Sequence, residues 1–254
     1  MTSLALFSVP GLPVVQPGDD LAALIADAMA RAGQALQPRD VVVVAQKIVS
    51  KAEGRFVDLA AVTPSPEAVQ LARETGKDPR IVEVVLAESA RVVRSRPNLI
   101  IVEHKRGWVM ANAGVDHSNV TPLGEPDRLL LLPEDPDASA EALRAGLAAR
   151  SGAEIAVVIS DSFGRAWRRG TLGVAIGAAG LPSLVDLRGQ PDMFGRTLEV
   201  TVVGLADEIA AAAGLVQGQA SEGQPVAIVR GLRWSAPPSP ASELVRPPAE
   251  DLFR

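Results

Sequence analysis

Pro38-Arg39-Asp40-Val41-Val42-Val43-Val44-Ala45 is the stretch on which the reading of the fold turns. Pro38-Arg39-Asp40 reads as a turn, and the β-branched run after it reads as a strand. The run has no polar alternation, so the strand is expected to be buried on both faces. Toward the N-terminus, Leu4-Ala5-Leu6-Phe7-Ser8-Val9 alternates as a second strand and Pro10-Gly11-Leu12-Pro13 ends it. Between the two, Leu21, Leu24, Ile25 and Met29 recur at helical spacing, with Asp19 or Asp20 placed to cap the first amides.

Toward the C-terminus, Thr63-Pro64-Ser65-Pro66-Glu67 and Asp78-Pro79-Arg80 each start a helix, the second with Ile81, Val84, Val85 and Leu86 as apolar contacts. Leu99-Ile100-Ile101-Val102 predicts a strand paired with Trp108-Val109-Met110 across a loop containing Gly107. Leu129-Leu130-Leu131-Leu132 and residues 155–159 predict buried strands, with a helix between them from Asp137 to about Arg150. Residues 173–180 are small and apolar and fit either a strand or tight packing. Leu198-Glu199-Val200-Thr201-Val202 alternates as a strand, residues 206–215 form an Ala-rich helix, and Val226-Ala227-Ile228-Val229 is a last strand. Strands outnumber helices and several pair across short loops. The expected class is α+β, with mixed, largely antiparallel sheets and packed helices. Residues 1–234 are read as one domain. Residues 235–254 are read as a Pro-rich tail, extended on the surface, with five prolines between Ser235 and Pro248.

Composition bounds the function. The chain has 254 residues, 47% of them hydrophobic, with no Cys and a net charge of -5. A real core is affordable at this length, and disorder is excluded. Zero Cys excludes a disulfide scaffold, a thiolate metal site and a cysteine nucleophile, and fits a cytoplasmic protein. Net acidity and 3% aromatic residues argue against nucleic acid as a partner. No apolar run reaches the roughly 20 residues of a membrane span, and no charged segment precedes an apolar one as in an export signal. Phosphate-binding G-x-x-x-x-G-K-[ST], dinucleotide-binding G-x-G-x-x-G, H-E-x-x-H and G-x-S-x-G are all absent. His104 and His117 are too few for a multi-histidine zinc site.

Four polar segments lie where strands or helices end. In Ser50-Lys51-Ala52-Glu53-Gly54-Arg55, Lys51 could hold a phosphate as a point charge, or the segment is a solvated turn with a Glu-Arg pair. In Asn112-Ala113-Gly114-Val115-Asp116-His117-Ser118-Asn119, the small residues allow close approach to a ligand and Asp116 is a hard oxygen donor for Mg²⁺ or Mn²⁺. An Asx turn is the other reading. Asp161 ends a predicted strand and Arg165, Arg168 and Arg169 follow, which suits a divalent cation beside an anionic substrate. The alternative makes Asp161 a helix cap. Gln217-Gly218-Gln219-Ala220-Ser221-Glu222-Gly223-Gln224 is a flexible polar loop after a helix, with Gly218 also suited to cap it. The residues alone support a metal-dependent enzyme acting on phosphorylated molecules. A phosphatase or kinase, or a non-catalytic nucleotide-binding module, stays open.

Several strings in order along the chain resemble the coenzyme F-420-0: gamma-L-glutamyl ligases, the CofE family. They are Gly11-Leu12-Pro13, Val49-Ser50-Lys51-Ala52-Glu53-Gly54-Arg55, Asn112-Ala113-Gly114-Val115-Asp116 with Ser118-Asn119, and Asp161-Ser162 with Gly164-Arg165. Leu131-Leu132-Pro133 with Asp135-Pro136-Asp137, Ala206-Asp207-Glu208-Ile209-Ala210-Ala211 and Val229-Arg230-Gly231 extend the likeness over nearly the whole chain. The resemblance implies the single-domain form of an intertwined homodimer. Its implied activity is GTP-dependent addition of L-glutamate to F-420-0, and of further glutamates through γ-linkages, with Mg²⁺ or Mn²⁺ at two sites and a response to K⁺.

The resemblance also implies roles. Leu12, Pro13, Val14 and Val15 match a nucleotide-contacting stretch, as do Lys51 and Asn119. Asp116 and Asp161 match ligands of one metal, and Ser162 matches a hydroxyl ligand of a second. Residues 217–224 match the loop that closes on nucleotide and metal. Arg165 and Arg168 are the candidate cations for an acyl-phosphate transition state. Two departures stand out: Gln46-Lys47 replaces a nucleotide-touching Ser-Thr pair, and Gln219 replaces a metal-binding Glu, with Glu222 a nearby carboxylate for the same metal.

Overall fold

The four valines of residues 41–44 are wholly buried, with Val42 and Val44 in one apolar cluster and Val41 and Val43 in another. Both faces of the strand are therefore covered, which is why the run shows no alternation. The computed structural model describes residues 3–121 and 126–252. In chain order these contain β1 (Ala5–Ser8), α1 (Leu21–Arg31), β2 (Val41–Ala45), α2 (Gln46–Ala52) and β3 (Phe56–Asp58). α3 (Pro66–Thr75), α4 (Pro79–Ala87), β4 (Ser89–Arg96), β5 (Leu99–His104), β6 (Val109–Ala111) and β7 (Arg128–Leu130) follow. The remainder is α5 (Pro136–Ser151), β8 (Ala156–Arg165), β9 (Arg168–Ala179), β10 (Val185–Asp186), β11 (Val202–Val203), α6 (Leu205–Gln217) and β12 (Val226–Arg230). The class is α+β with mostly antiparallel sheets, as expected.

The central sheet runs β1-β12-β2-β8-β9, antiparallel throughout except for the parallel pair β2–β8. On one face α1 contributes Ile25 and Met29, and α5 contributes Leu143 and Leu147. On the other, Ala206, Ile209, Ala210 and Ala213 of α6 pack on Val41, Val43 and Val158. Four of the α-helices carry side-chain caps: Asp20, as expected, accepts from the Ala23 amide, Ser65 from Ala68, Asp78 from Arg80 and Asp135 from Ala138. At the entrance to β2, the 1%-exposed Asp40 carboxylate takes a two-pronged ion pair from Arg230, at 2.8 and 2.7 Å. Arg230 also donates to the Ala35 carbonyl and lies over the Phe7 ring, so one guanidinium ties β12 to the start of β2 and to β1.

Of residues 173–180, all but Gly180 resolve as strand. Their pattern was ambiguous because β9 carries a bulge: Ile159 pairs with Gly177 but Ser160 with Ala175, so the side-chain period of two slips at Ile176. Two carboxylates serve the backbone here. Asp207 of α6 accepts the Ala175 amide and Asp137 of α5 accepts the Ala178 amide, both at 2.9 Å. Close approach of the helices requires glycine, since a Cβ on Gly173 would overlap the Ala210 carbonyl and one on Gly177 the Pro136 carbonyl.

A second region packs α3 and α4 on the sheet β4-β5-β6, with β3 and β7 paired beside it. The expected pairing of residues 99–102 with 108–110 is present. β4 went unread because two register shifts break its alternation. Three other expectations are corrected. Leu198, Glu199 and Val200 lie outside the strand, although Leu198 exchanges backbone hydrogen bonds with Gly189 and Gln190; the strand is Val202 and Val203, paired with Val185 and Asp186, and Val200 is exposed. β8 runs on to Arg165, so Asp161 sits within a strand and caps no helix. The Pro-rich stretch is not uniformly extended on the surface. It turns at Ala241–Leu244, Ala241 is 1% exposed, and Asp137 accepts both the Ala241 and Ser242 amides. Among the described residues, no helix is long and apolar enough to cross a membrane.

Two tests follow. Gly177→Ala forces a methyl against backbone that cannot move aside. It should cost about 1–3 kcal/mol, read as a lower melting temperature at about 2–4 °C per kcal/mol for a chain of this size. His104 is 5% exposed, stacks near Trp108, and is pushed down to about 4 by burial and by Arg106, Lys105 and Arg55. The unfolded chain therefore binds the His104 proton more readily than the folded one, so stability falls as pH drops from 6.5 toward 4. His104→Phe should flatten that part of a melting-temperature profile; an unchanged slope would reject the assignment.

Candidate active site

Parallel strands end at the same side of a sheet, and β2 and β8 are in register from Val41↔Ala156 to Ala45↔Ser160. The residues that follow, Gln46 and Lys47 on one side and Asp161 and Ser162 on the other, therefore emerge together. Such a common carboxyl edge is where open α/β sheets bind ligands. Gln46 is 2% exposed and fixed from both ends: its carbonyl oxygen accepts from Ser50 Oγ at 2.9 Å and its Nε2 donates to Asp116 Oδ2 at 2.7 Å.

Asp116 arrives from the second region. Its amide and carbonyl both bond Leu130, at 2.9 Å each, while Asn112 and Ala113 just before it take positive φ of 51° and 53°. A Cβ on Gly114 would strike Leu132 and Met110, so close packing on the core requires glycine there. Lys47 reaches the same oxygen of Asp116, Nζ to Oδ2 at 2.5 Å. His117 points elsewhere and pairs with Asp127 at 2.6 Å.

Asp161 is held up to about 6, first by burial and then by the negative charge of Asp116, against the Ser162 amide, Lys47 and Gln46, which favour its ionised form. Lys51 is lowered by burial and by Lys47, and its Nζ donates to the Asn119 carbonyl at 2.8 Å. Asn119, at φ 58°, donates to the Ala220 carbonyl at 3.2 Å, joining the two loops beside the site. Ser162 Oγ donates to Gln219 Oε1 at 2.5 Å, whereas Glu222 folds back on its own loop and accepts the Ala220 amide. That amide hydrogen bond lowers the Glu222 carboxyl below its ordinary value.

These groups border one cavity of about 500 Å³, inside the roughly 300–1,000 Å³ of small-molecule sites. Residues 12–15 form part of its wall, with Gln46, Lys47, Lys51, Asn119, Asp161, Ser162 and residues 217–224. Asp116 is linked to it through Gln46 and Lys47. Arg165 and Arg168 are not brought in: they pair at the exposed tip of the β8–β9 hairpin, where Arg165 donates to the Gly170 carbonyl. Glu53 and Arg55 do not pair with each other as a solvated turn would have them; Glu53 accepts from Ser139, and Arg55 donates to Leu132 and Glu88.

No group of three or more His, Asp or Glu side chains gathers as a metal nest among the described residues. The oxygens available are the carboxylates of Asp116 and Asp161, Ser162 Oγ and Gln219 Oε1. All are hard donors of the kind Mg²⁺ and Mn²⁺ take, and a cation would offset both the burial and the Asp116 charge that raise Asp161. The residues fit such an ion. Residue-by-residue reading missed the contact of Lys47 with Asp116 and the support of Gln46 by Ser50. The available signal was positional: Gln46 and Lys47 directly follow the most deeply buried strand.

A family model described as F420-0:Gamma-glutamyl ligase matches residues 11–231. A protein named coenzyme F420:L-glutamate ligase from Methanothermobacter thermautotrophicus is 46% identical over 254 residues, covering 99% of each chain. Namesakes from Methanopyrus kandleri and Methanocaldococcus jannaschii are 46% and 41% identical, over 100% and 96% of this chain and 99% and 94% of theirs. With the match running through both strand ends and both loops of the cavity, the chain belongs to the F420-0:gamma-glutamyl ligase family.

Proposed function

We propose that the chain joins L-glutamate to coenzyme F-420-0 with GTP as phosphoryl donor, and extends the product through γ-linkages. Family membership supplies the broader statement, a ligase of coenzyme F-420 biosynthesis. GTP, the cations and the chemical route are the proposal. The observation that carries it is one cavity walled by Lys47, Lys51 and Asp161 beside the β2–β8 pair, with Asp116 tied to it through Lys47.

In this reading the terminal carboxylate of F-420-0 attacks the γ-phosphorus of GTP, and GDP leaves. The resulting acyl phosphate is attacked by the amine of glutamate, which forms the amide, loses a proton and expels phosphate. Lys51, with Lys47, orients the triphosphate and offsets its charge. Residues 12–15 and Asn119 frame the nucleotide, and residues 217–224 close beside it. Asp116, Asp161, Ser162 and Gln219 would hold Mg²⁺ or Mn²⁺, with Glu222 near; such an ion supplies charge neutralisation at the phosphate oxygens. K⁺ is an accessory cation without an assigned residue. Arg165 and Arg168, at the exposed tip of the β8–β9 hairpin, take no part in this scheme. Homodimerisation is supported by the exposure of Trp167, Met193, Phe194 and Val200, each at least 79% accessible. A cytoplasmic location accords with the absence of cysteine.

Incubation with GTP, Mn²⁺, L-glutamate and F-420-0 should give a mass gain of one glutamyl unit, with release of GDP and phosphate. Phosphate release without that gain would point to a phosphatase, and nucleotide binding without turnover to a non-catalytic module. Asp161→Asn should lower ligation by roughly 10²-fold or more. In chelator at pH 7 it should melt no lower than the wild type, because the substitution removes a charge that burial and Asp116 disfavour. Full ligation by this variant rejects the role given to Asp161.

A further inference from the structure

The contact between Lys47 and Asp116 has no place in the scheme of a carboxylate pair simply awaiting a cation. Oδ2 of Asp116 already receives two donors, Lys47 Nζ at 2.5 Å and Gln46 Nε2 at 2.7 Å. The geometry of both donors is enforced: Gln46 is pinned by Ser50, and Lys47 follows it at the start of α2. The ion pair is half-buried, at 30% and 23% side-chain exposure, so water screens it incompletely. The same ammonium is close enough to Asp161 and Lys51 to favour the anion of the first and disfavour the cation of the second.

We propose that Lys47 is a tethered cation of this site: its ammonium occupies Oδ2 of Asp116, at one end of the carboxylate pair, and a divalent ion gains that oxygen as a ligand only by displacing it. Displacement has a second effect. Lys47 lies on the cavity wall, so an ammonium released from Asp116 is delivered to the space assigned to the triphosphate. Divalent ion and lysine thus exchange places: the chain keeps Asp116 compensated when no ion is present and gains a free phosphate-binding charge when one arrives. The inference rests on the ligase reading only in taking Asp116 and Asp161 as cation ligands.

The test is Mn²⁺ binding to the full chain, followed by the loss of the free-ion magnetic resonance signal, with no nucleotide, glutamate or F-420-0 present. Lys47→Met and Lys47→Gln should each bind Mn²⁺ about tenfold more tightly than the wild type, and Mn²⁺ should raise their melting temperatures more than it raises that of the wild type. Lys51→Met removes a neighbouring positive charge that makes no contact with Asp116, so its gain should be clearly smaller. In an Asp116→Asn background, Lys47→Met should change Mn²⁺ affinity far less, since only its longer-range effect on Asp161 remains. Equal binding by wild type and both Lys47 variants overturns the proposal, as does an equal gain in Lys51→Met, which would mean a diffuse charge effect. Absence of Mn²⁺ binding in every protein overturns it too. None of these outcomes depends on ligation, whose failure would show in the glutamyl-addition assay with the isotherms intact.

Discussion

One parallel pairing, β2 against β8, governs this molecule. Every other neighbour in its five-stranded sheet is antiparallel. A parallel pair cannot be closed by a tight turn, so the chain must cross the sheet before β8 can begin. The crossover here, residues 46–155, is long enough to hold α2 through α5 and β3 through β7. That excursion builds the region from which Asp116 returns. The same pairing sets Ala45 beside Ser160, so the polar residues after each apolar run, Gln46-Lys47 and Asp161-Ser162, must meet. Connection and site are two results of one constraint.

The site stores unfavourable electrostatics within a favourable scaffold. Asp161 is disfavoured as an anion by burial and by Asp116, and Lys51 as a cation by burial and by Lys47. The molecule tolerates this because the surroundings are overdetermined. Strands with wholly buried valines, a two-pronged ion pair at Asp40 and carboxylates serving the β9 backbone hold the edge in place whatever the charges prefer. Preorganised charge is what phosphoryl chemistry needs, since dipoles already in place need not reorganise as the reaction proceeds.

How much of this was legible in the residues varies with the range of the interaction. Caps and buried strands are local, and Ser65, Asp78 and Val41 through Val44 announced them. The cavity's membership was readable from the likeness of short strings to a known family, and the fold class from the count and spacing of elements. What was not legible depended on partners far along the chain. The bulge at Ile176 is defined against Ile159 and Ser160. Leu198-Glu199-Val200 alternates like a strand but lies outside the one that pairs with Val185 and Asp186. The prolines after Ser235 suggested a free tail, while Asp137, about a hundred residues earlier, fastens it at Ala241 and Ser242. Arg165 and Arg168 looked adjacent to Asp161 in sequence, yet a strand advances about 3.3 Å per residue, which carries them out to the hairpin tip.

The place of β12 between β1 and β2 has a bearing on how the molecule comes into being. Residues 5–8 pair, among the described residues, with residues 227–230 alone, which are made long after them. During synthesis the first strand must therefore wait, its amides served by water, while the parallel pair and its excursion assemble beside it. Insertion of the late strand then zips both edges at once, and Arg230 reaches Asp40 in the same event. Closure of the sheet therefore joins segments far apart along the chain, and such sequence-distant pairing is the kind that folds slowly.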